Sequence, residues 1–249
     1  HCPSRDIERF KASMRAFHHR ADHTLSGPTR YHFKTGTLAE RMCFIRKRGG
    51  TGETQERQRT NVSSKANSND SRRVMNVQIR HGNLSELELL REIEREAGVV
   101  FAQHRMPEIA DDDPPSIEEL SQYCNAKRLW VAVDDCDHPV AYIIAKILGQ
   151  YAHIDQVSVL PCHAGRRIGS ALIDSVEQWA ASLTLSALTL TCFRHVPWNA
   201  PYYQRIGFET IPEHALTRGL KEIRRQEKQR GLDRWSRCGM KRNIRSIEP

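Results

Sequence analysis

The chain has 249 residues, of which 39% are apolar and 27% charged, values that are ordinary for a globular protein and exclude collagen-like and wholly disordered classes. Its 38 Lys and Arg residues exceed its 30 Asp and Glu residues, which gives a net charge of +8. Residues 1–74 hold 16 basic and 7 acidic side chains, whereas residues 75–249 hold 22 and 23. The basic excess therefore lies in the first third of the chain, and we do not expect a nucleic-acid partner for the rest.

The apolar segments are too short to cross a membrane, and the cysteines do not pair in sequence. The longest apolar segment, residues 140–148, is interrupted by Lys146 and is well below the roughly 20 residues of a transmembrane helix. The seven cysteines form no C-x-x-C pair, so neither a zinc ribbon nor a disulfide framework is indicated. We expect reduced thiols, no bound metal, no membrane partner and a cytoplasmic location.

The first segment in chain order, residues 1–74, is polar and basic. Between Arg46 and Arg73 the only apolar residues are Val62 and Ala66, so this stretch cannot offset its chain entropy and disorder is expected. Three interpretations are open: an organelle transit peptide, a basic arm for nucleic acid, or an extension, by sequence error or alternative start, of a domain that is complete from Met75. We favour the third, which predicts a disordered extension at 1–74, a folded domain at 75–243 and a tail at 244–249.

From Met75 onward the hydrophobic period alternates between strand and helix. In chain order it predicts a strand at 77–80, a helix from Leu84 to Ala97 capped by Asn83 or Ser85, a helix at 117–123, strands at 129–133 and 140–148 joined by an Asp-rich turn at 134–138, a strand at 151–160, a helix at 168–181, a strand at 187–193, a short helix at 200–205, a strand at 208–211, a helix at 220–230 and a strand at 235–240. This order predicts a mixed α/β domain of about 170 residues.

The stretch from Val157 to Leu172 places a glycine- and arginine-containing loop between a strand and a helix. Gly165, Arg166 and Gly169 belong to that loop, whose helix would present unpaired amides and a positive dipole end to a pyrophosphate. The loop has neither the G-K-[ST] ending of a Walker loop nor the G-x-G-x-x-G of a Rossmann fold. From these residues alone, a plain turn with two solvated arginines is an equal alternative.

The same stretch resembles motif A of the GNAT superfamily of acyl-CoA-dependent N-acetyltransferases, V-x-P followed by Q/R-x-x-G-x-G/A. Ala164 stands where the family has Gln or Arg, and Arg167 where it has the first Gly; Arg167 would then offer its amide in a helical conformation. The resemblance spans about 75–242 and implies a GNAT-like fold, an α/β fold with a mixed sheet. It also implies acetyl-CoA as cosubstrate. The cofactor-binding residues that it implies are Val157, Ser158, Val159, Ala164, Gly165, Arg166, Arg167, Ile168, Gly169, Ser170, Asn199 and Tyr203.

A second stretch, Val196 to Phe208, resembles the family's motif B, N-x-x-A-x-x-F-Y-x-x-x-G-F. Counting back from Gly207 and Phe208 places Tyr203 at the family's tyrosine, the general acid for the departing CoA thiolate. A phenol suits this role because it can donate a proton to a thiolate. The alternative is a core tyrosine on an amphipathic helix.

The family's reaction is direct attack of an amine on the acetyl thioester, and the resemblance pairs the pantetheine arm with backbone groups of Val157 and Val159. The amine must lose a proton first, so a base is needed. Period-2 alternation places His153, Asp155, Val157 and Val159 on one face of their strand. Asp155 is the first candidate for the base and His153 the second, with a purely structural role for each as the alternative.

The acceptor is expected to be a small-molecule primary amine. Four acidic residues between the first two helices, Glu108, Asp111, Asp112 and Asp113, would border its pocket and attract a cation, although a solvated acidic loop is the simpler interpretation. Two alternatives to a small-amine enzyme are a protein-lysine acetyltransferase and a non-catalytic acyl-CoA-binding module, and a homodimer stays open as the oligomeric state.

Overall fold

The computed structural model describes residues 77–244, so the predictions for residues 1–74 and for most of the tail lie outside the described residues. Seven strands form the sheet: β1 (Gln78–His81), β2 (Leu129–Val133), β3 (Pro139–Leu148), β4 (Tyr151–Val159), β5 (Ala187–Phe193), β6 (Glu209–Thr210) and β7 (Arg237–Asn243). Six α-helices accompany them: α1 (Leu87–Ala102), α2 (Pro107–Ala110), α3 (Ile117–Asn125), α4 (Ile168–Ser182), α5 (Ala200–Arg205) and α6 (Arg218–Gln229). The predicted mixed α/β class is confirmed.

The strands form one mixed sheet in the order β1-β2-β3-β4-β5-β7-β6. The pair β4–β5 is parallel, and each of the other pairs is antiparallel. Because parallel strands need a crossover connection, the chain passes over one face as α4 between them. The parallel pair lies at the centre of the sheet, where β4 ends and the glycine- and arginine-containing loop begins.

Helices cover both faces of the sheet. On one face, α1 and α3 reach the central strands through Glu94, which binds Tyr142, and Tyr123, which binds Asp155. The other face carries α4, whose Trp179 ring stacks edge-on to a tryptophan of β2. The buried strand residues between these layers form one apolar core. Among residues 77–244 no helix has both the length and the apolar character needed to cross a membrane.

The helix boundaries follow local interactions, and the sequence pattern predicts some of them. Asn83 caps the first helical turn, as predicted, and its amide donates to the Glu86 carboxylate at 2.8 Å, which completes a capping box. Helix α1 does not stop at Ala97 but continues to Ala102. Gly98 lies in its interior, where a Cβ would make only an ordinary van der Waals contact, of 3.6 Å, with the Ala110 carbonyl of α2.

The last strand lies later in the chain than the sequence pattern predicts, because the pattern ends the strand at Met240. Strand β7 continues to Asn243 because Arg242 is buried, with its guanidinium 5.2 Å from the Phe208 ring centre and 3.0 Å from a Glu177 carboxylate oxygen. Trp235, the predicted start, precedes the strand and packs edge-on against Phe193 instead. A paired, buried arginine does not follow the apolar alternation from which strands are predicted.

Candidate active site

The phosphate loop (residues 160–167) joins the end of β4 to the start of α4. The amide of Ala171 makes the first helical hydrogen bond, to the Arg167 carbonyl at 3.1 Å, so the amides of residues 168–170 precede the bonded ladder. Amides at the free end of a 15-residue helix attract an anion through their N–H groups and through the helix dipole. The loop and helix terminus therefore fit a pyrophosphate.

Glycine allows α4 to begin close to its neighbours. A Cβ built on Gly169 would lie 3.2 Å from the Tyr202 hydroxyl and 3.9 Å from a methyl group of Val159. Any larger side chain at this position would push the helix away from β4 and from α5. The glycine thus keeps the amides of the helix terminus beside the end of the strand.

Arg167 adopts a left-handed backbone conformation, with φ 60° and ψ 15°, so the expectation of helical geometry at this residue is wrong. In the family pattern a glycine stands here, and the positive φ gives the physical reason, since glycine alone enters this region without a Cβ penalty. Gly165 also has a positive φ, of 75°. The loop therefore has two residues in a conformation that favours glycine, and one of them carries an exposed guanidinium.

Strands β4 and β5 pair over only part of their length. The register runs from Tyr151 opposite Ala187 to His153 opposite Thr189 and ends there, while β5 continues to pair with β7 as far as Phe193. The β5-facing edge of residues 154–159 consequently has no strand partner among the described residues. We call this opening the β4–β5 gap; its exposed strand edge can pair with an extended ligand arm through backbone hydrogen bonds.

A β-bulge at Asp155 changes the face on which the β4 side chains lie. Ile154 pairs with Ala145 and Gln156 with Ile144, so Asp155 has no opposite residue. An extra residue shifts the alternation by one, because side chains alternate strictly with period 2. The prediction that His153, Val157 and Val159 share one face is therefore wrong.

His153 and Asp155 lie on the face covered by α1 and α3, whereas Val157 and Val159 lie on the α4 face. The two valines therefore border the β4–β5 gap with their backbone and not with their side chains. The resemblance assigned these backbone groups to the pantetheine arm. Ser158, on the opposite face to the valines, is buried and accepts a hydrogen bond from Gln156 at 2.9 Å.

Asp155 is tied to two neighbouring elements. Its Oδ1 lies 2.6 Å from the Lys146 ammonium of β3, and its Oδ2 accepts a hydrogen bond of 2.7 Å from the Tyr123 hydroxyl of α3. Burial, followed by the negative charge of Asp155, raises the pKa of Tyr123 above its ordinary range, so this phenol stays protonated as a donor. Three elements thus hold one carboxylate in a fixed position at the bulge.

His153 is buried beside this carboxylate. Its Nδ1 lies 3.0 Å from the Thr189 hydroxyl, and its Nε2 lies 3.9 Å from Asp155 Oδ1. Burial lowers the pKa of His153 to about 4, with Lys146 contributing in the same direction and Asp155 opposing both. The imidazole is consequently neutral near pH 7 and cannot form an ion pair with Asp155.

Glu94 of α1 is a titratable group that the sequence analysis missed. Burial raises the pKa of Glu94 to about 7, although the hydrogen bond from the Tyr142 hydroxyl acts in the opposite direction. The nearby Asp112 raises this pKa further, and Arg95 and Arg230 lower it. In the sequence Glu94 is one polar position of an amphipathic helix, and only the packing of α1 on β3 distinguishes it from its exposed neighbours.

Tyr203 lies on α5, next to β5. Its ring packs edge-on against Phe208 at 5.7 Å, and no hydrogen bond to its hydroxyl occurs within residues 77–244. Burial raises the pKa of Tyr203 above its ordinary range, and the adjacent Cys192 of β5 adds to this effect. The phenol is therefore protonated near pH 7 and able to donate.

Asn199 precedes α5, as motif B predicts. Its Oδ1 accepts a hydrogen bond of 3.4 Å from the Phe193 amide, and its carbonyl accepts one of 3.0 Å from the Tyr203 amide. These bonds connect the last residue of β5 to the first turn of α5. Asn199 thereby fixes the position of the helix that carries Tyr203.

The acidic loop 108–113 is partly neutralised by arginines from the end of the chain. Glu108 lies 2.8 Å from Arg234, and Asp112 lies 2.9 Å from Arg230. The side chains of Asp111 and Asp113 are exposed. Two of the four predicted acidic groups are thus in ion pairs, which reduces the negative field available to attract a cation.

Comparison with known proteins agrees with this geometry. Residues 88–208 match the model of the acetyltransferase (GNAT) family, and both motif stretches fall in that range. An acetyltransferase of the GNAT family from Staphylococcus aureus Mu50 has a similar structure, with a TM-score of 0.52 and 16% identity over 68% of this chain and 99% of that chain. Residues 88–208 therefore carry a GNAT acetyltransferase domain, and the predicted resemblance is confirmed.

Two further solved structures are similar to this chain at low sequence identity. N-acetylglutamate synthase from Neisseria gonorrhoeae, complexed with coenzyme A and N-acetyl-glutamate, gives a TM-score of 0.51 and 15% identity over 68% of this chain and 35% of that chain. The PaiA N-acetyltransferase from Thermoplasma acidophilum, in complex with coenzyme A, gives 0.48 and 18% over 68% of this chain and 99% of that chain.

Proposed function

We propose that the protein is an acetyl-CoA-dependent N-acetyltransferase that acts on the primary amine of a small molecule. The observation that carries this proposal is the β4–β5 gap, which begins beyond His153 and ends at the phosphate loop. An extended pantetheine arm fits the unpaired edge of β4, and a pyrophosphate fits the amides at the start of α4. The coenzyme A bound in the similar structure of N-acetylglutamate synthase supports this assignment.

The reaction requires one bond to form and one to break. The neutral amine nitrogen attacks the thioester carbonyl carbon, the carbon–sulfur bond breaks, and coenzyme A leaves. Tyr203 donates its phenolic proton to the departing thiolate. Its hydroxyl is protonated and makes no other hydrogen bond among the described residues, which suits this role. The nearby end of β5 is held in place by Asn199.

Asp155 is our first candidate for the group that takes the proton of the amine. Its position at a bulge, next to the β4–β5 gap, and its attachment to Lys146 and Tyr123 support a fixed carboxylate at that point. His153, which is neutral near pH 7, is the second candidate. Glu94 is a third, since it lies over Tyr142, the residue opposite Ser158 of β4.

Replacing Tyr203 by Phe tests the acid role. We expect turnover to fall by roughly 100-fold or more, the usual contribution of a general acid, while the affinity for acetyl-CoA changes little. Asp155→Asn should lower turnover in the same way because the amide cannot accept the proton. Tyr151→Phe is the matched control, since it removes a phenol at the start of β4 whose hydroxyl accepts a hydrogen bond from Gln150. Unchanged turnover in Tyr203→Phe would remove this residue from the acid role.

A thermal-shift titration with acetyl-CoA tests the broader proposal. A ligand that binds only the native state stabilises it by about 2.7 kcal/mol at 100 times its dissociation constant. No stabilisation at saturating acetyl-CoA would contradict the proposal. Stabilisation without release of coenzyme A across a panel of amines and lysine peptides would favour the non-catalytic module, and release with peptides alone would favour protein lysine as the acceptor.

A further inference from the structure

The hairpin turn between β2 and β3 brings together three side chains that ligate metals. Asp134, Cys136 and His138 each offer one donor atom, and these atoms lie within 4.8 Å of one another. A carboxylate, a thiol and an imidazole at alternate positions of a five-residue turn are the three ligand types found at zinc sites. In the sequence this segment is marked only as an Asp-rich turn, and it contains no cysteine pair.

We propose that Asp134, Cys136 and His138 form a binding site for a divalent transition-metal ion of the Zn²⁺ class, separate from the acetyltransfer site. A thiolate and an imidazole favour such an ion over Mg²⁺ or Ca²⁺, which prefer oxygen ligands. Three protein ligands leave a fourth tetrahedral position for water. Binding releases the thiol proton of Cys136, and the thiolate and carboxylate together balance the charge of the ion.

The turn is held in shape by bonds that do not involve a metal. Asp134 Oδ1 accepts the amides of Cys136 at 2.9 Å and His138 at 3.0 Å, which places the three residues on one side of the turn. Asp137 has a left-handed φ of 61°, and Arg80 of β1 anchors its carboxylate at 2.8 Å. A preorganised frame lowers the entropic cost of binding.

The donor atoms are close enough for coordination after side-chain rotation. Zn²⁺ lies about 2.0–2.3 Å from nitrogen, oxygen and sulfur ligands, so the ligands of one ion are roughly 3–4 Å apart. The Nδ1 of His138 already lies 3.7 Å from Asp134 Oδ1. His138 and Asp134 are half-buried and Cys136 is exposed, so an ion can enter from solvent.

Titration of the full-length chain with Co²⁺ tests the site, because a cobalt–thiolate bond produces a charge-transfer absorption band that aqueous cobalt lacks. We expect one equivalent of Co²⁺ to produce this band and Zn²⁺ to displace it. Cys136→Ser should remove the band, and His138→Gln should weaken affinity by at least about 100-fold, more than the loss of an outer-shell partner costs.

Two variants serve as controls. Asp135→Asn removes a neighbouring carboxylate of the same turn, and Cys162→Ser removes a thiol of the phosphate loop; both should retain the band. A band that persists unchanged in Cys136→Ser, or no band in the wild-type chain, would overturn the proposal. Acetyl-CoA plays no part in this measurement, so its outcome is independent of the proposed acetyltransfer.

Discussion

The backbone conformation of Arg167 leads to a prediction that separates geometry from charge. A non-glycine residue in the left-handed region costs about 1–2 kcal/mol, and glycine adds about 0.5–1 kcal/mol of chain entropy to folding. We therefore expect Arg167→Gly to raise the free energy of unfolding by up to about 1 kcal/mol. The same change removes a positive charge beside the proposed pyrophosphate, so acetyl-CoA should bind more weakly, mainly at low ionic strength.

Arg167→Lys is the matched control for this prediction. It keeps both the charge and the Cβ, so it should retain acetyl-CoA affinity without any gain in stability. Denaturant unfolding and acetyl-CoA titration at two salt concentrations measure the two effects separately. Equal stability of Arg167→Gly and Arg167→Lys would contradict the expected gain in stability from glycine at this positive φ.

Two buried titratable residues have opposite effects on stability in the same pH range. The native state holds the proton of Glu94 up to about pH 7, whereas the unfolded chain releases it near 4.5, so this stabilising contribution is lost as pH rises from 4.5 to 7. His153 stays unprotonated down to about pH 4 in the native state, but binds a proton near 6.5 when unfolded, so its contribution is lost as pH falls. Each effect is about 3 kcal/mol.

Single variants should reveal each contribution, because the two nearly cancel in the wild type. In Glu94→Gln the free energy of unfolding should rise more steeply with pH between 4.5 and 6.5 than in the wild type. In His153→Gln it should fall over the same interval relative to the wild type. Urea unfolding at several pH values measures these slopes, and a Glu94→Gln curve parallel to the wild-type curve would contradict a raised pKa at Glu94.

Helix α6 is held on the sheet by a buried ionic cluster. Glu227 lies 2.7 Å from Arg237 of β7 and also binds Arg224 and the Thr191 hydroxyl. Burial opposes ionisation of Glu227, but the hydrogen bonds and positive charge of Arg237 lower its pKa overall. The carboxylate is therefore charged and carries much of the attachment of α6 to β5 and β7.

Glu227→Gln should destabilise the protein by about 3 kcal/mol, because it leaves the buried Arg237 guanidinium without a counter-charge, while Arg224 keeps its ion pair with Asp233. Glu222→Gln is the control on the same helix: its partner Arg225 is exposed, and surface pairs contribute little. Denaturant midpoints of the two variants compare the sites directly. A midpoint for Glu227→Gln as high as that of Glu222→Gln would show that the cluster does not hold the helix.

Most elements could be predicted because their apolar periods are strong. The bounds of β2, β5 and α5 match the sequence pattern, since short apolar runs there lie between clear turn signals. The bulge at Asp155 could not be predicted, because it depends on how β3 and β4 pair and leaves no mark in the period of either strand. Long-range pairing is the information that the pattern of one strand lacks.

The residues of the candidate site also fall into two groups, those that a local motif predicts and those that only long-range packing brings together. Tyr203 and the phosphate loop follow from motifs that are local in sequence; the loop lies at the end of β4, and Tyr203 lies near Cys192 of β5. Tyr123 reaches Asp155, and Glu94 reaches Tyr142, from distant parts of the chain, while Lys146 reaches Asp155 from the neighbouring strand. A lysine in a strand or a glutamate in a helix has no sequence signal that separates such a role from solvent exposure.

The charge of the whole chain is distributed unevenly, with residues 1–74 carrying the basic excess and residues 75–249 nearly neutral. A basic segment gives non-specific affinity for nucleic acid that falls steeply with salt. Acetyl-CoA, in contrast, is proposed to bind within residues 75–243, where the phosphate loop and α4 lie. Nucleic-acid binding stays an alternative for residues 1–74, and it would involve a different part of the chain from acetyl-CoA.

We propose residues 75–243 as the catalytic domain, and a chain beginning at Met75 tests this limit. It should keep the acetyl-CoA-dependent rise in melting temperature, because the β4–β5 gap, Tyr203 and the helix terminus are all retained. Any affinity of the full-length chain for DNA at low salt should decrease, since the deleted segment carries the excess charge. Loss of the acetyl-CoA response in the shortened chain would place part of the cofactor site before Met75, whereas unchanged DNA affinity would show that the basic segment does not bind nucleic acid.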